Sequence, residues 1–237
     1  MNENIKQDWR SHPQAELPEH IRGLIFDCDG TLVDTMPMHY RAWQTALGEA
    51  GISLTEDAFY SLAGMPTLKI AQSLAQAQKS NVSGEHITHR KEEAYIQSIP
   101  DIELIAAVVG IARRENGRRH LAVASGGIHR IVDQQLKAAG LMDLFPIVIC
   151  ADDVEHGKPA PDSFLLAARR MGLKPEECVV YEDGELGFQA AAAAGMSCVD
   201  VRPWYDVRYP PPRRLMHIHW FAAMFRYFEK KDKWNAA

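Results

Sequence analysis

The sequence predicts an α/β protein: a Rossmann-like parallel sheet core with helices on both faces, plus an inserted α-helical cap domain. Three observations predict it. Five short apolar runs are continuous rather than alternating, as in strands buried on both faces. Segments of helical period separate the last four runs, and strand–helix alternation specifies a parallel sheet. A long stretch of helical pattern follows the first run.

The strand runs are GLIFD at 23–27, HLAVAS at 120–125, FPIVIC at 145–150, ECVVYED at 177–183 and SCVDV at 197–201. Three helical units lie among the last four: IHRIVDQQLKAAG from Ile128, PDSFLLAARRMG from Pro161 and ELGFQAAAAAGM from Glu185. The first two end in a glycine, which stops a helix. Between about Thr35 and Asp101, MHYRAWQTALGEAG, TLKIAQSLAQAQ and GEHITHRKEEAYIQSI repeat apolar residues at three- and four-residue spacing. Pro100 breaks helix at the exit. The expected organisation is a flexible leader over 1–20, a catalytic core from 21–34 and 102–202, and a helical cap over 35–101. A stiff, extended proline-rich segment and an amphipathic helix are expected over 203–237. In that helix Phe221, Met224, Phe225 and Phe228 share one face, expected to dock on the protein's own core, with a dimer contact as the alternative.

The chain has 237 residues, 46% hydrophobic and 24% charged, an ordinary core-forming mix. A net charge of -5 leaves no basic footprint for nucleic acid. Cys28, Cys150, Cys178 and Cys198 form no CxxC pair, which fits reduced thiols and a cytoplasmic location. The polar N-terminus lacks the apolar region of a signal peptide, and no apolar run reaches the length of a membrane span. Close histidines in HITH and HIH lack an adjacent third ligand and are read as solvated or packing residues.

In open α/β sheets, ligands bind beyond the carboxyl ends of the strands. Asp27, Asp29 and Gly30 follow the first predicted strand; Ser125, Gly126 and Gly127 follow the second. Asp152, Asp153 and then Lys158 follow the third, and Glu182 and Asp183 end the fourth. This collection of carboxylates, one lysine, one hydroxyl and glycine-rich backbone suits phosphoryl transfer through a metal. Carboxylate oxygens are hard ligands suited to Mg²⁺, which also takes phosphate oxygen. Asp27, Asp183 and Glu182 are its candidate ligands. Strand alternation lets Asp27 and Asp29 point one way and Cys28 the other. One carboxylate can then attack phosphorus while its neighbour handles a proton. Ser125 and the Gly126 amide can donate to the transferring group, and Lys158 supplies fixed positive charge.

FDCDGTLVDT, VASGG, KPAPDSF and VVYEDGELGFQAAAAAGM occur in this order at predicted strand ends. They resemble the four motifs of the haloacid dehalogenase superfamily, and the resemblance spans Arg22 to about Val201. It implies that Asp27 is the nucleophile and a metal ligand. It implies that Asp29 is the general acid/base and lends its backbone carbonyl to the metal. Asp183 and Glu182 would complete the metal site, and Ser125 and Lys158 would hold the phosphate. Dehalogenating members lack the second aspartate of the first motif, so Asp29 argues against that chemistry.

The inserted helices resemble the cap of a subgroup containing β-phosphoglucomutases and sugar phosphatases. There, His39 corresponds to a histidine coupling cap closure to the acid/base aspartate, and Lys91 to a cap lysine facing the site. The alternatives are a surface histidine and a solvated helix face. Thr67 stands where the mutase carries an arginine that grips a second phosphate, and a neutral threonine cannot replace a bidentate guanidinium. The expected activity is Mg²⁺-dependent hydrolysis of a small phosphorylated metabolite, of the fructose 1-phosphate/6-phosphogluconate type. The same-class alternative is β-phosphoglucomutase; the other-class alternative is a non-catalytic sugar-phosphate-binding or interaction protein. A monomer or homodimer is expected.

Overall fold

The computed structural model describes residues 9–62 and 65–205. Among them, five parallel strands form one sheet: β1 (Gly23–Phe26), β2 (His120–Ala124), β3 (Ile147–Ile149), β4 (Cys178–Glu182) and β5 (Ser197–Asp200). Their order is β3-β2-β1-β4-β5, so β1 is central, with Gly23 opposite both His120 and Cys178. Alternate residues divide between two apolar layers. Leu24, Phe26, Val123, Val179 and Tyr181 enter one, while Ile25, Ala122, Ala124 and Val180 enter the other. The continuous apolar runs follow from this two-sided burial.

Helices α5 (Ala106–Glu115) and α6 (His129–Ala138) cover the first layer through Val108, Val109, Ala112, Val132 and Leu136. Helices α7 (Asp162–Met171) and α8 (Glu185–Ala193) cover the second through Phe164, Ala167, Ala168, Ala190 and Ala191. Gly172, at φ 70°, ends α7 in the left-handed conformation that a β-carbon disfavours.

Between β1 and α5 lie α1 (Met36–Glu49), α2 (Glu56–Ser61), α3 (Thr67–Ala77) and α4 (Gly84–Ser98). Ser83 caps α4 by accepting from the His86 amide at 3.2 Å, and Thr55 caps α2 by accepting from the Ala58 amide at 3.3 Å. Met38 and Ala42 of α1 pack with Tyr95 of α4 and Ile131 of α6, which seats the inserted helices against the core.

Three features differ from the sequence-based expectation. Helices α2 and α5 were not anticipated; α2 is short, and AAVVGIARRE is apolar around most of its circumference. Residues 9–20 are not a free leader: Leu17 is buried and Trp9 packs on the first layer, and Arg114 donates to the Pro13 carbonyl at 3.0 Å. Arg202–Trp204 forms a 3₁₀ turn rather than extended chain. Residues 206–237, with the rest of the proline-rich segment and the amphipathic helix, lie outside the described residues.

Candidate active site

Strand β1 ends where the chemistry begins. The Asp27 amide continues the ladder to the Tyr181 carbonyl at 3.0 Å, fixing Asp27 at the strand's mouth. Cys28 turns into the core, and Asp27 and Asp29 both line a cavity of about 370 Å³. The cavity lies between the strand ends and the inserted helices. Ser125, Gly126, Lys158, Glu182 and Asp183 also line it from the core. His39, Thr67 and Lys91 line it from the helical side. The cavity thus brings together every residue given a role from the sequence, whereas Asp152 and Asp153, gathered with them after the third strand, meet His129 instead.

Asp27, Glu182 and Asp183 offer carboxylate oxygens within 4.8 Å of one another. Lys158 Nζ donates to Asp27 at 2.6 Å and to Glu182 Oε2 at 2.8 Å. Glu182 Oε1 accepts from the Gly184 amide at 3.1 Å, so both its oxygens are engaged. Asp183 Oδ1 accepts from Thr31 at 2.9 Å. Three acids, two of them buried, facing one lysine are not electrically balanced. Burial, followed by the charge of Glu182, raises Asp27 well above the usual carboxylate range. The same two causes, in the same order, push Asp183 up to about 8. Burial opposes the charge on Lys158, yet Asp27 and Glu182 outweigh it and raise its pKa. An all-oxygen, net-negative donor set of this kind fits Mg²⁺.

Asp29 has different company. Thr35 and Gln135 each donate to its Oδ1 at 2.6 Å, and His39 Nε2 lies 3.2 Å away. Burial alone would raise Asp29, but His39 and the other donors hold it down at about 2. Thr35 stands at the N-cap of α1 without capping it; its hydroxyl goes to Asp29 instead. Lys91 Nζ lies 3.0 Å from His39 Nδ1. An ammonium only donates and a carboxylate only accepts, so the ring's proton is assigned to Nε2. Burial, then the Lys91 charge, keeps the His39 pKa low and the ring neutral. Tyr95 stacks on that ring, centroids 3.8 Å apart, and also meets Gln135. His39 and Lys91 are therefore not on a solvated face; Lys91 is 5% exposed.

Ser125 is buried, and its oxygen accepts from the Gly127 amide at 3.0 Å. That leaves its proton free for an incoming oxygen. The third acid of the first motif, Asp34, is not part of the carboxylate cluster. Sequence reasoning missed Thr31, Thr35 and Gln135. Thr31 and Thr35 lie within the first motif, a signal that could have found them, whereas nothing in a helical glutamine marks Gln135. Among the described histidines of HITH, His89 makes an exposed contact with Glu93 at 3.1 Å.

A family profile described as haloacid dehalogenase-like hydrolase matches residues 21–195. The fructose-1-phosphate phosphatase YqaB of Escherichia coli is 42% identical over 184 residues, 78% of this chain and 98% of that protein. A β-phosphoglucomutase of Bacillus subtilis is 29% identical, covering 76% of this chain and 83% of its own length. The crystal structure of a Clostridium difficile β-phosphoglucomutase superposes with a TM-score of 0.70 at 20% identity, covering 88% of this chain and 98% of the other. At that identity the likeness is one of fold.

Proposed function

This chain belongs to the haloacid dehalogenase-like hydrolases, and from that premise we propose that it hydrolyses sugar monophosphates of the fructose 1-phosphate/6-phosphogluconate type through an aspartyl-phosphate. It is a phosphatase acting on phosphate monoesters. The observation that carries the mechanism is the division of labour between two neighbouring carboxylates. Asp27 sits among acids and Lys158, while Asp29 sits among hydrogen-bond donors. Two acids on one wall, one beside a fixed cation and the other ringed by hydrogen-bond donors, are placed for different roles.

In the first half, an Asp27 oxygen attacks phosphorus and the bond to the leaving alcohol oxygen breaks. Asp29 hands that oxygen a proton, which reaches it along the Lys91–His39 line. In the second half Asp29, ionised again, draws a proton from water as the water attacks the aspartyl-phosphate. Ser125, the Gly126 amide and Lys158 hold the phosphoryl oxygens throughout. Mg²⁺, when bound by Asp27, Asp183 and the Asp29 backbone carbonyl, supplies positive charge to the phosphate oxygens. Glu182 serves that cluster by holding Lys158. The inserted helices form the cap that keeps bulk water out.

Hydrolysis is favoured over the mutase reaction by the charges in the cavity. Its described lining carries two lysines, Lys91 and Lys158, and both are engaged, by His39 and by Asp27 with Glu182. Thr67 is neutral, so no free guanidinium is there to grip a second phosphate. A non-catalytic binding role is disfavoured by the complete acid set, since binding alone does not require Asp29. A phosphate-release screen with Mg²⁺ across sugar phosphates, nucleotides and phosphonates tests the reading. We expect release from hexose monophosphates without isomerisation, abolished by Asp27→Asn. Wild-type turnover in Asp27→Asn would refute the nucleophile.

A further inference from the structure

Tyr205 lies beyond residue 195, where the segment shared with the family ends. Its hydroxyl donates to the backbone carbonyl of Gly30, inside the loop that carries Asp27 and Asp29. The ring packs against the first apolar layer, as does that of Trp204. Trp204 in turn donates to the Ser11 carbonyl at 3.4 Å. Burial, followed by the Asp183 charge, raises the phenol's pKa, so the hydroxyl keeps the proton it donates.

Gly30 is an unusual place to pin. Its φ of +82° is left-handed, and a β-carbon there would fall 2.3 Å from Asp183 Oδ2. The Gly30 backbone therefore packs directly on a carboxylate of the acidic cluster. Its amide is already held by the Val33 carbonyl at 2.8 Å. The next residue, Thr31, donates to the other oxygen of Asp183 at 2.9 Å. The peptide group joining Gly30 to Thr31 thus links Tyr205 at one end to Asp183 at the other. A carbonyl free to swing would let Thr31 and the Gly30 backbone shift against that carboxylate.

We infer that Tyr205 is a positioning residue that fixes the Gly30–Thr31 peptide and, through it, the Asp183 carboxylate on the cation side of the site. The inference rests on the reading that Asp27 and Asp183 hold a divalent cation. Tyr205 touches neither substrate nor metal, so its effect is on cation affinity rather than on sugar recognition. Removing the hydroxyl loosens one wall of the cation site and leaves the cap face of the cavity as it was.

The test compares wild type with Tyr205→Phe by Mg²⁺ titration of the substrate-free protein, followed calorimetrically and by the Mg²⁺-induced rise in Tm. Activity is measured in parallel across Mg²⁺ concentrations. The loss of one neutral hydrogen bond corresponds to roughly a 3- to 10-fold weaker Kd for Mg²⁺. At saturating Mg²⁺, kcat and the KM for fructose 1-phosphate should return to wild-type values. A Kd equal to that of wild type overturns the inference, as does a loss of activity that saturating Mg²⁺ does not restore. Wild type that binds no Mg²⁺ overturns the underlying reading instead. If Tyr205→Phe melts below the assay temperature, Tyr205→Trp, which keeps a packed aromatic ring without the phenolic hydroxyl, serves in the same titration. Its indole cannot reach the same carbonyl with the same geometry, so an unchanged Kd would again overturn the inference.

Discussion

Lys91 of α4 stands 3.0 Å from His39 of α1, and the opposite edge of that imidazole meets Asp29 at 3.2 Å. Burial lowers the Lys91 pKa to about 8, so its ammonium form gives way to the amine just above neutral pH. The alkaline limb of kcat/KM should therefore fall near pH 8. Lys91→Met should remove that limb and lower activity at pH 7 by about 10-fold. The sign for stability is also set. The folded pKa lies below the unfolded value of 10.5, so the charged lysine costs stability below pH 8. That cost fades as pH rises through 8 toward 10.5. An unaltered alkaline limb in Lys91→Met would remove Lys91 from the proton line.

The acidic cluster predicts an opposite pH response in protein stripped of metal. Asp183 is raised from 3.8 to about 8 by burial and by Glu182, so the folded state disfavours its ionised form. Below pH 4 this costs nothing. As pH climbs from about 4 to 8 the unfolded state releases its proton first, and stability falls. Tm measured in EDTA should decline over this window, and Mg²⁺ should reverse the decline. Asp183→Asn should flatten the profile and abolish the Mg²⁺ response. A Tm independent of pH in EDTA would contradict the electrostatic account.

Gly187 makes a prediction against the usual helix rule. Alanine in place of helical glycine normally stabilises by about 1 kcal/mol. Here a β-carbon at Gly187 would fall 2.0 Å from Glu182 Cδ, on a buried side chain that holds Lys158. Gly187→Ala should lower Tm by several degrees and reduce kcat by roughly 10-fold or more. A variant with raised Tm and full activity would show that Glu182 can move without consequence.

Thr67 offers a gain-of-contact test of the hydrolase reading. Thr67→Arg places a guanidinium at the start of α3, on the cavity wall. Hexose bisphosphates, tested as competitive inhibitors, should bind about 10-fold more tightly to this variant. Equal inhibition constants for the two proteins would mean that position 67 does not face the far end of the substrate.

The strands were legible because the sheet buries both faces: their apolar runs are continuous and their polar residues gather at the carboxyl ends. Asp27, Asp29, Lys158, Glu182 and Asp183 could be read from that gathering alone. Helix α5 was not legible, because its apolar residues do not form a stripe. Lys91 was ambiguous for a related reason. It lies in a charged run, RKEEAY, that looks solvated until α1 packs over it and brings His39 to its ammonium. Gln135 depends on how α6 is rotated above the first motif, a tertiary fact that no local pattern carries. Thr35 stands at the N-cap of α1, but its hydroxyl goes to Asp29, a choice that only the folded chain reveals.

The central place of β1 has a consequence for how the protein is made. Gly23 pairs with His120 on one side and Cys178 on the other, so the strand that ends at Asp27 precedes the other four along the chain and must wait for the fourth before both its edges are paired. Pairings this distant along the chain close slowly. Asp27 and Asp29 leave the ribosome long before Lys158, Glu182 or Asp183 exists to balance or oppose them. A chain arrested before residue 158 has emerged would hold two aspartates without the lysine that meets Asp27 and without a cation site. Phosphatase activity should therefore arrive in a single late step of synthesis.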